Sequence, residues 1–473
     1  MLQESMTEQK SSPQGWHKAK QQTLLGALAM AIFLTTGLSG PANAQVNPEE
    51  DSSQTLAQWW QRFEDPLLNT LVTQALQSNT NLRSARAALQ QARALRDAKS
   101  AGLQPSLSAS GSARRSKATG AEAGNSFGAS LDAQWTPDVF GGDRSALESA
   151  EQDALASEAT LADAQGAVAA EVALAYIALR GQQTQSAIAQ TNLASQEETL
   201  QITDWRAQAG LTTSLEVEQA RTAAAQTRAQ IPTLLANISK TESALSVLTG
   251  QLPQALQTQL SPAQAVPQVA LAKVMIFPAD TLRQRPDVRA AEHRITAALA
   301  RVSVAEAARY PSFSISGSVG LNALTLAGLT SGASVLNSLL AGISVPLFDA
   351  GATQAQVRSQ EAALEQTRAN YQGVVLAALK EVQDALVTLS GDNTQLLHLQ
   401  TAAESARLAA LLAQNRYTSG LIDFQTVLLT QRTLLNAQDS VASTTADVSA
   451  DHVRLYKALG GGWNPALNLK SAP

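Results

Sequence analysis

Side chains that could do chemistry are few and scattered in this 473-residue chain. Metal ligation needs donors clustered at ligand spacing. His293, His398 and His452 are widely separated, and Met275 is the only methionine after Met30. There is no cysteine, which excludes disulfides and thiol chemistry. No nucleophile elbow, phosphate loop or paired-carboxylate motif stands out. The Gly460-Gly461-Gly462 run follows a helical pattern and reads as a C-terminal stop. Serine alternates with apolar residues at strand period, which suits the lining of a pore better than catalysis. No catalytic residue, metal site or cofactor is therefore expected. A net charge of −5, with no basic tract longer than Arg114-Arg115, argues against nucleic acid as a partner.

The elements that carry these residues follow from composition and pattern. Hydrophobic residues make up 44% of the chain but aromatics only 4%, so the apolar content is mostly Ala, Leu and Val. Long helices packed through small side chains use that composition. Near the start, His17, Lys18 and Lys20 precede an apolar run from Leu24 to Leu34, and Ala42-Asn43-Ala44 follows. This is the grammar of a cleaved signal peptide over 1–44, because the run is well short of the ~20 residues that span a bilayer. No other segment is expected to be apolar enough for a transmembrane helix.

The chain reads as one unit written twice. Pro105-Ser-Leu-Ser-Ala-Ser-Gly-Ser112 returns as Pro311-Ser-Phe-Ser-Ile-Ser-Gly-Ser318, and Arg206-Ala-Gln-Ala-Gly-Leu211 as Arg416-Tyr-Thr-Ser-Gly-Leu421. The first repeat spans 45–250, with helix 66–101, strands at about 104–113 and 127–137, and helices at about 143–206 and 212–249. The second spans 280–463, with helix 280–309, strands at about 311–320 and 335–347, and helices at about 352–416 and 422–459. A linker at 251–279, with Pro253, Pro262, Pro267 and Pro278, joins them, and 464–473 is a tail. A heptad runs through Leu147, Ala154, Leu161, Val168 and Ala175, and again through Val357, Leu364, Tyr371, Ala378 and Ala385. Such a seam marks coiled-coil packing.

Strands with one apolar and one polar face fit either a soluble sheet or a membrane barrel with water inside. Two strands per repeat give four, fewer than the ~8 that close a barrel. Open edges do not occur in lipid, so a membrane sheet requires several chains to pool their strands.

Several stretches resemble the TolC-type outer-membrane factors of tripartite efflux systems, in the RND-efflux branch of NodT or OprM type. They are Trp60-Gln-Arg-Phe63 with Asp65-Pro66-Leu67, Arg285-Pro-Asp-Val-Arg-Ala-Ala-Glu292, Val345-Pro-Leu-Phe-Asp-Ala-Gly351 and Leu455-Tyr-Lys-Ala-Leu-Gly-Gly-Gly-Trp463. The resemblance implies a mainly α fold with a small transmembrane β-sheet. It implies a homotrimer with a 12-stranded barrel in outer-membrane lipid, continued by a long periplasmic α-helical barrel. A periplasmic adaptor and an inner-membrane RND-type pump would be its partners, and small molecules its passively conducted cargo. A type I protein-secretion duct shares the architecture, and a soluble periplasmic coiled-coil protein is the third alternative.

By the same resemblance, Gly210-Leu211 and Gly420-Leu421 match tips that dock on the adaptor. Arg206, Arg416 and Tyr417 match residues that lock the mouth of the conduit. Leu429 stands where relatives often carry an aspartate, with Asp423 nearby as a substitute. The absence of a cysteine after the expected cleavage point, where Gln45 stands, implies no lipid anchor.

Overall fold

The computed structural model describes residues 56–117, 119–120, 122–269, 283–330 and 335–463. The expected signal peptide, the tail 464–473 and residues 270–279 of the linker lie outside them. In chain order the elements are a 3₁₀ turn (Trp59–Phe63), α1 (Pro66–Ser78), α2 (Thr80–Ala101), β1 (Ser106–Ser116) and β2 (Gly124–Trp135). Then come α3 (Gly142–Gln208), α4 (Ser214–Leu248), a single helical turn α5 (Gln257–Leu260) and α6 (Pro286–Ala307). The chain continues through β3 (Ser312–Ala323), a 3₁₀ turn (Ala327–Thr330), β4 (Val335–Ser344), α7 (Ala352–Thr418) and α8 (Phe424–Ala458).

The repeat is kept in length as well as in order. Helices α3 and α7 have 67 residues each, and α4 and α8 have 35 each. At 1.5 Å per residue the longer pair extend about 100 Å. Each long helix begins after a glycine in the left-handed region, Gly141 (φ 81°) or Gly351 (φ 85°). In the first half of α7 the buried residues are Val357, Leu364, Ala378 and Ala385, all heptad positions. The heptad seam is thus what packs α7 against its neighbours.

Some boundaries differ from those expected. The helix anticipated over 66–101 is two, divided at Asn79, whose extended backbone (ψ 134°) caps α2 while its Oδ1 accepts from Asn81 N and Leu82 N. Strands β1 and β2 reach beyond the alternating pattern because Arg114, Arg115 and Ser116 pair with Ser126, Asn125 and Gly124. Strand β4 stops at Ser344, two residues before Pro346, which has no N–H for a ladder. Helix α6 starts at Pro286, a residue preorganised for the first helical position. One further expectation needs correction: part of α3 is apolar and long enough to cross a membrane by composition alone. Just over half of that stretch, 56%, is buried by other helices, as in the core helix of a bundle.

The main core surrounds the middle of α3. Val168, Val172, Tyr176 and Ile177 pack with Leu68 and Leu71 of α1, Leu245 of α4, Leu260 of α5 and Val453 and Tyr456 of α8. The two ends of the described chain meet there: Trp59 stacks on Tyr456 with ring centroids 5.7 Å apart, and Gly462 N donates to the Leu56 carbonyl at 3.0 Å. This gives the triple glycine a role beyond stopping α8. A Cβ on Gly461 would lie 2.9 Å from both the Leu56 and Tyr456 carbonyls, and one on Gly462 would meet Gly166 Cα of α3 at 2.9 Å. Asp65 caps α1 through Leu67 N and Leu68 N and accepts the Tyr176 hydroxyl at 2.7 Å. Burial and the Asp65 carboxylate push the Tyr176 phenol up to about 12.

Each repeat locks its helical hairpin to the helix before the strands. In the first, Asn79 Nδ2 donates to the Leu248 carbonyl at 2.9 Å. In the second, Arg285 Nη1 donates to the Ala458 carbonyl, 210 residues later, at 2.6 Å. Arg285 adds a fork onto Asp287 (3.0 and 2.8 Å) and a bond to Glu381 of α7 at 2.8 Å.

Candidate functional site

Two regions of the molecule meet the expectations for a conduit: the sheet and the tips of the helical hairpins. The strands form one antiparallel sheet in the order β1-β2-β3-β4, leaving an unpaired edge on β1 and on β4. Paired residues share a face. The register Leu107↔Ala133, Leu131↔Val319 and Ile315↔Ala341 therefore gathers the odd-numbered residues of all four strands on one side. That side includes Leu107, Leu131, Ile315, Val319, Leu339 and Ile343, all exposed. On the other side the even-numbered residues form hydroxyl ladders, with Ser110 Oγ and Ser318 Oγ each 2.8 Å from a cross-strand partner, Ser130 and Ser338. At the helical end of the sheet, exposed Phe140 stacks on Tyr310 at 4.9 Å, and Trp135 Nε1 donates to the Leu103 carbonyl. Aromatic rings collected at that level are characteristic of a membrane–water boundary.

At the opposite end of the long helices the two tips have the same construction. Gly210 and Gly420 both sit at φ 72°. Leu211 N donates to the Arg206 carbonyl (2.8 Å) and Leu421 N to the Arg416 carbonyl (2.9 Å). With Gly210 N on Ala207 O and Gly420 N on Tyr417 O, each tip is a Schellman turn, which requires a residue free to adopt the left-handed conformation. The following leucines project outward, Leu211 being 70% and Leu421 74% exposed.

The structure brings Arg206 and Tyr417 together. The Arg206 guanidinium lies 4.6 Å over the Tyr417 ring centroid, and its Nη1 donates to the Tyr417 carbonyl at 3.0 Å. The Tyr417 hydroxyl donates to Glu216 Oε2 at 3.3 Å, and its ring packs on Phe424 at 5.2 Å. Burial raises the Tyr417 pKa, and the Glu216 carboxylate adds to this. Sequence reasoning missed Glu216 and Phe424. Their counterparts 210 residues away are Thr426 and Ser214, so the repeat gave no signal for them. The contact is one-sided for a related reason: Tyr417 corresponds to Ala207, so Arg416 has no matching ring.

The other expected residues are placed apart from this cluster. Arg416 is exposed and forms no side-chain hydrogen bond or ion pair among the described residues. Asp423 caps α8 by accepting from Thr426 N and Thr426 Oγ1, and these bonds hold its carboxyl below the usual range. Leu429 is 63% exposed and, with Leu215 and Arg432, lines a groove of about 760 Å³ between α4 and α8. Among the described residues no group of three or more His, Asp or Glu side chains could hold a metal ion.

Comparison with known proteins agrees with this geometry. The family model described as outer membrane efflux protein matches residues 71–251 and 277–461, one segment for each repeat. The chain is 32% identical over 424 residues to the probable efflux pump outer membrane protein SepC of Pseudomonas putida, covering 88% of this chain and 87% of SepC. It is also 32% identical to the pyoverdine export outer membrane protein OpmQ of Pseudomonas aeruginosa, covering 93% and 95%. Among solved structures, the outer-membrane channel OprN superposes with a TM-score of 0.81 at 35% identity, covering 86% of this chain and 93% of OprN. The outer membrane protein VceC of Vibrio cholerae gives 0.79 at 27% identity, covering 86% and 99%. Duplicated long hairpins, a two-faced sheet and matches across both repeats have one common account: the chain belongs to the outer membrane efflux protein family, whose members are outer-membrane channels.

Proposed function

We propose that three copies of this chain pool their strands into one twelve-stranded barrel and continue it as a hollow periplasmic conduit. The duct passes small molecules outward, with a periplasmic adaptor and an inner-membrane RND-type pump supplying the drive, and it does no covalent chemistry. One observation carries the trimer: a sheet of only four strands has a largely apolar exposed face, interrupted in mid-strand by Asn337, and two open edges. Lipid tolerates the face but not the edges, and pairing β1 of one copy with β4 of the next removes them. Relatives named for toluene and for pyoverdine favour small organic cargo over polypeptides. The exposed Leu211 and Leu421 suit an adaptor tip, and three copies of Leu429 would narrow the mouth with an apolar ring that excludes water.

Deleting the gene is expected to raise sensitivity to drugs and solvents, with the protein recovered from outer membranes as a heat-modifiable trimer. Unchanged sensitivity with loss of a secreted polypeptide would favour a type I secretion duct. Recovery in the soluble periplasm would overturn the channel altogether.

In this duct the Arg206–Tyr417 contact works as a latch between the two tips of a protomer. Arg206→Ala removes the cation over the ring, a contact worth about 0.5–2 kcal/mol. Unitary conductance in planar bilayers is expected to rise, and a conductance equal to that of the wild type would remove Arg206 from the gate.

A further inference from the structure

The serine-rich face of the sheet carries a single carboxylate among the four strands. Register places Asp132 in one row with Ser108 of β1, Ser318 of β3 and Ser338 of β4. The Ser130 hydroxyl donates to Asp132 Oδ2 at 2.7 Å. Oδ1 accepts from no donor among the described residues, and no cation lies within ion-pair distance. Two side chains break the polar pattern of the same face: Leu336 and Leu340, on either side of Ser338, are 61% and 66% exposed. Strands are spaced at about 4.8 Å and residues along them at about 3.4 Å, so these leucines, two strands over and two residues along, stand roughly 12 Å from Asp132. Arg114, the other charge on this face, lies six residues farther from the helical end than Ser108, about 20 Å along the strand. Among the strand residues of this face, the one negative charge therefore lies toward the helical end and the one positive charge toward the other.

A carboxylate without a counter-cation in a field of hydroxyls, near an exposed apolar pair, has the two halves of a recognition surface for one class of solute. We propose that Asp132, Leu336 and Leu340 form a transit site for amphiphilic cations on the inner wall of the barrel. The ammonium or phosphonium end meets Asp132, and the apolar body lies on the leucines. Hydroxyls exchange hydrogen bonds with water readily, so the wall between them does not hold the solute in place. The site rests on the trimeric-barrel reading, in which it occurs three times around one lumen. A ring of carboxylates selects cations in a water-filled pore.

The test is made on purified full-length trimers in planar bilayers, using a tenfold KCl gradient and then tetraphenylphosphonium or tetraphenylborate as blockers. Asp132→Asn keeps the shape and the Ser130 contact but removes the charge. It is expected to lower the potassium-to-chloride permeability ratio at least about twofold and to weaken block by tetraphenylphosphonium, but not by tetraphenylborate. Leu336→Ser with Leu340→Ser is expected to weaken tetraphenylphosphonium block while leaving the ion ratio unchanged. Conducting Asp132→Asn channels with wild-type selectivity and block would overturn the site but leave the duct intact. Wild-type trimers that insert without conducting would overturn the duct, and the site with it.

Discussion

Arg285→Ala is expected to destabilise the protein by about 3 kcal/mol, a large loss for a single side chain outside the apolar core. Only 8% of the Arg285 side chain is exposed, and its three nitrogens satisfy the Ala458 carbonyl, both Asp287 oxygens and Glu381. Alanine would strand the carbonyl at the end of α8 and place two carboxylates together without a counter-charge. Uncompensated groups of this kind cost more than the pair itself contributes. Gly460 fits against the arginine stem, where a Cβ would lie 3.0 Å from Arg285 Cγ, so packing is lost as well. Arg285→Lys keeps the charge but not the fork, and roughly half of the loss is expected. Thermal unfolding at one scan rate, with Glu381→Ala and the double variant completing a cycle, measures the coupling. A loss below about 1 kcal/mol would show that Arg285 is not the clamp of the second hairpin.

The second large effect depends on pH. Asp451 on α8 is fully buried, and its Oδ2 has no donor. Its charged neighbours are Arg454 on α8, an ion-pair partner, and Asp392 on α7. Helix α3 faces this stretch of α8 with Gly181, whose Cβ would lie 3.0 Å from Ala446 Cβ, and with the apolar Ile177. Burial, opposed by Arg454 and reinforced by Asp392, pushes the Asp451 carboxyl up to about 6. The matching pair in the first repeat, Thr241 and Gln182, is neutral and hydrogen-bonded at 3.0 Å.

A carboxyl raised from 3.8 to about 6 binds a proton in the folded protein that the unfolded chain has already released. Stability from this group therefore falls as pH rises from about 4 to about 6, by on the order of 2 kcal/mol, and stays low above that range. Asp392→Asn removes the like charge and supplies an N–H to the stranded oxygen. It is expected to match the wild type near pH 4.5 and to unfold a few degrees higher at pH 7.5. Parallel curves for the two proteins across that range would mean that Asp392 does not control Asp451.

What the sequence determined by itself is whatever local pattern dictates. The duplication, the long helices, the glycines of the tips and the two-faced strands were all legible, because each depends on residues a few positions apart. The left-handed turn at Gly210 needs a glycine whatever surrounds it, and the period-2 alternation of β1 and β3 fixes which side chains share a face. The resemblance motifs were also legible, although their physical roles were not. That Arg285 clamps α8, that Asp65 takes the Tyr176 hydroxyl, and that Gly461 admits Trp59 became clear only when segments hundreds of residues apart were packed together.

Tertiary structure also decided which of the tip residues meet. Arg206 and Arg416 occupy the same place in the repeat, yet only Arg206 finds a ring, because position 417 is tyrosine and position 207 alanine. Glu216 and Phe424 joined that cluster without any periodic signal. Asp423, a candidate for charge at the mouth, is held by the N-terminus of α8. The break at Asn79 was hidden for a similar reason: its side chain caps one helix and holds the Leu248 carbonyl of another. Local pattern sets the elements through backbone geometry, whereas side-chain partners far apart in sequence are set by how those elements pack.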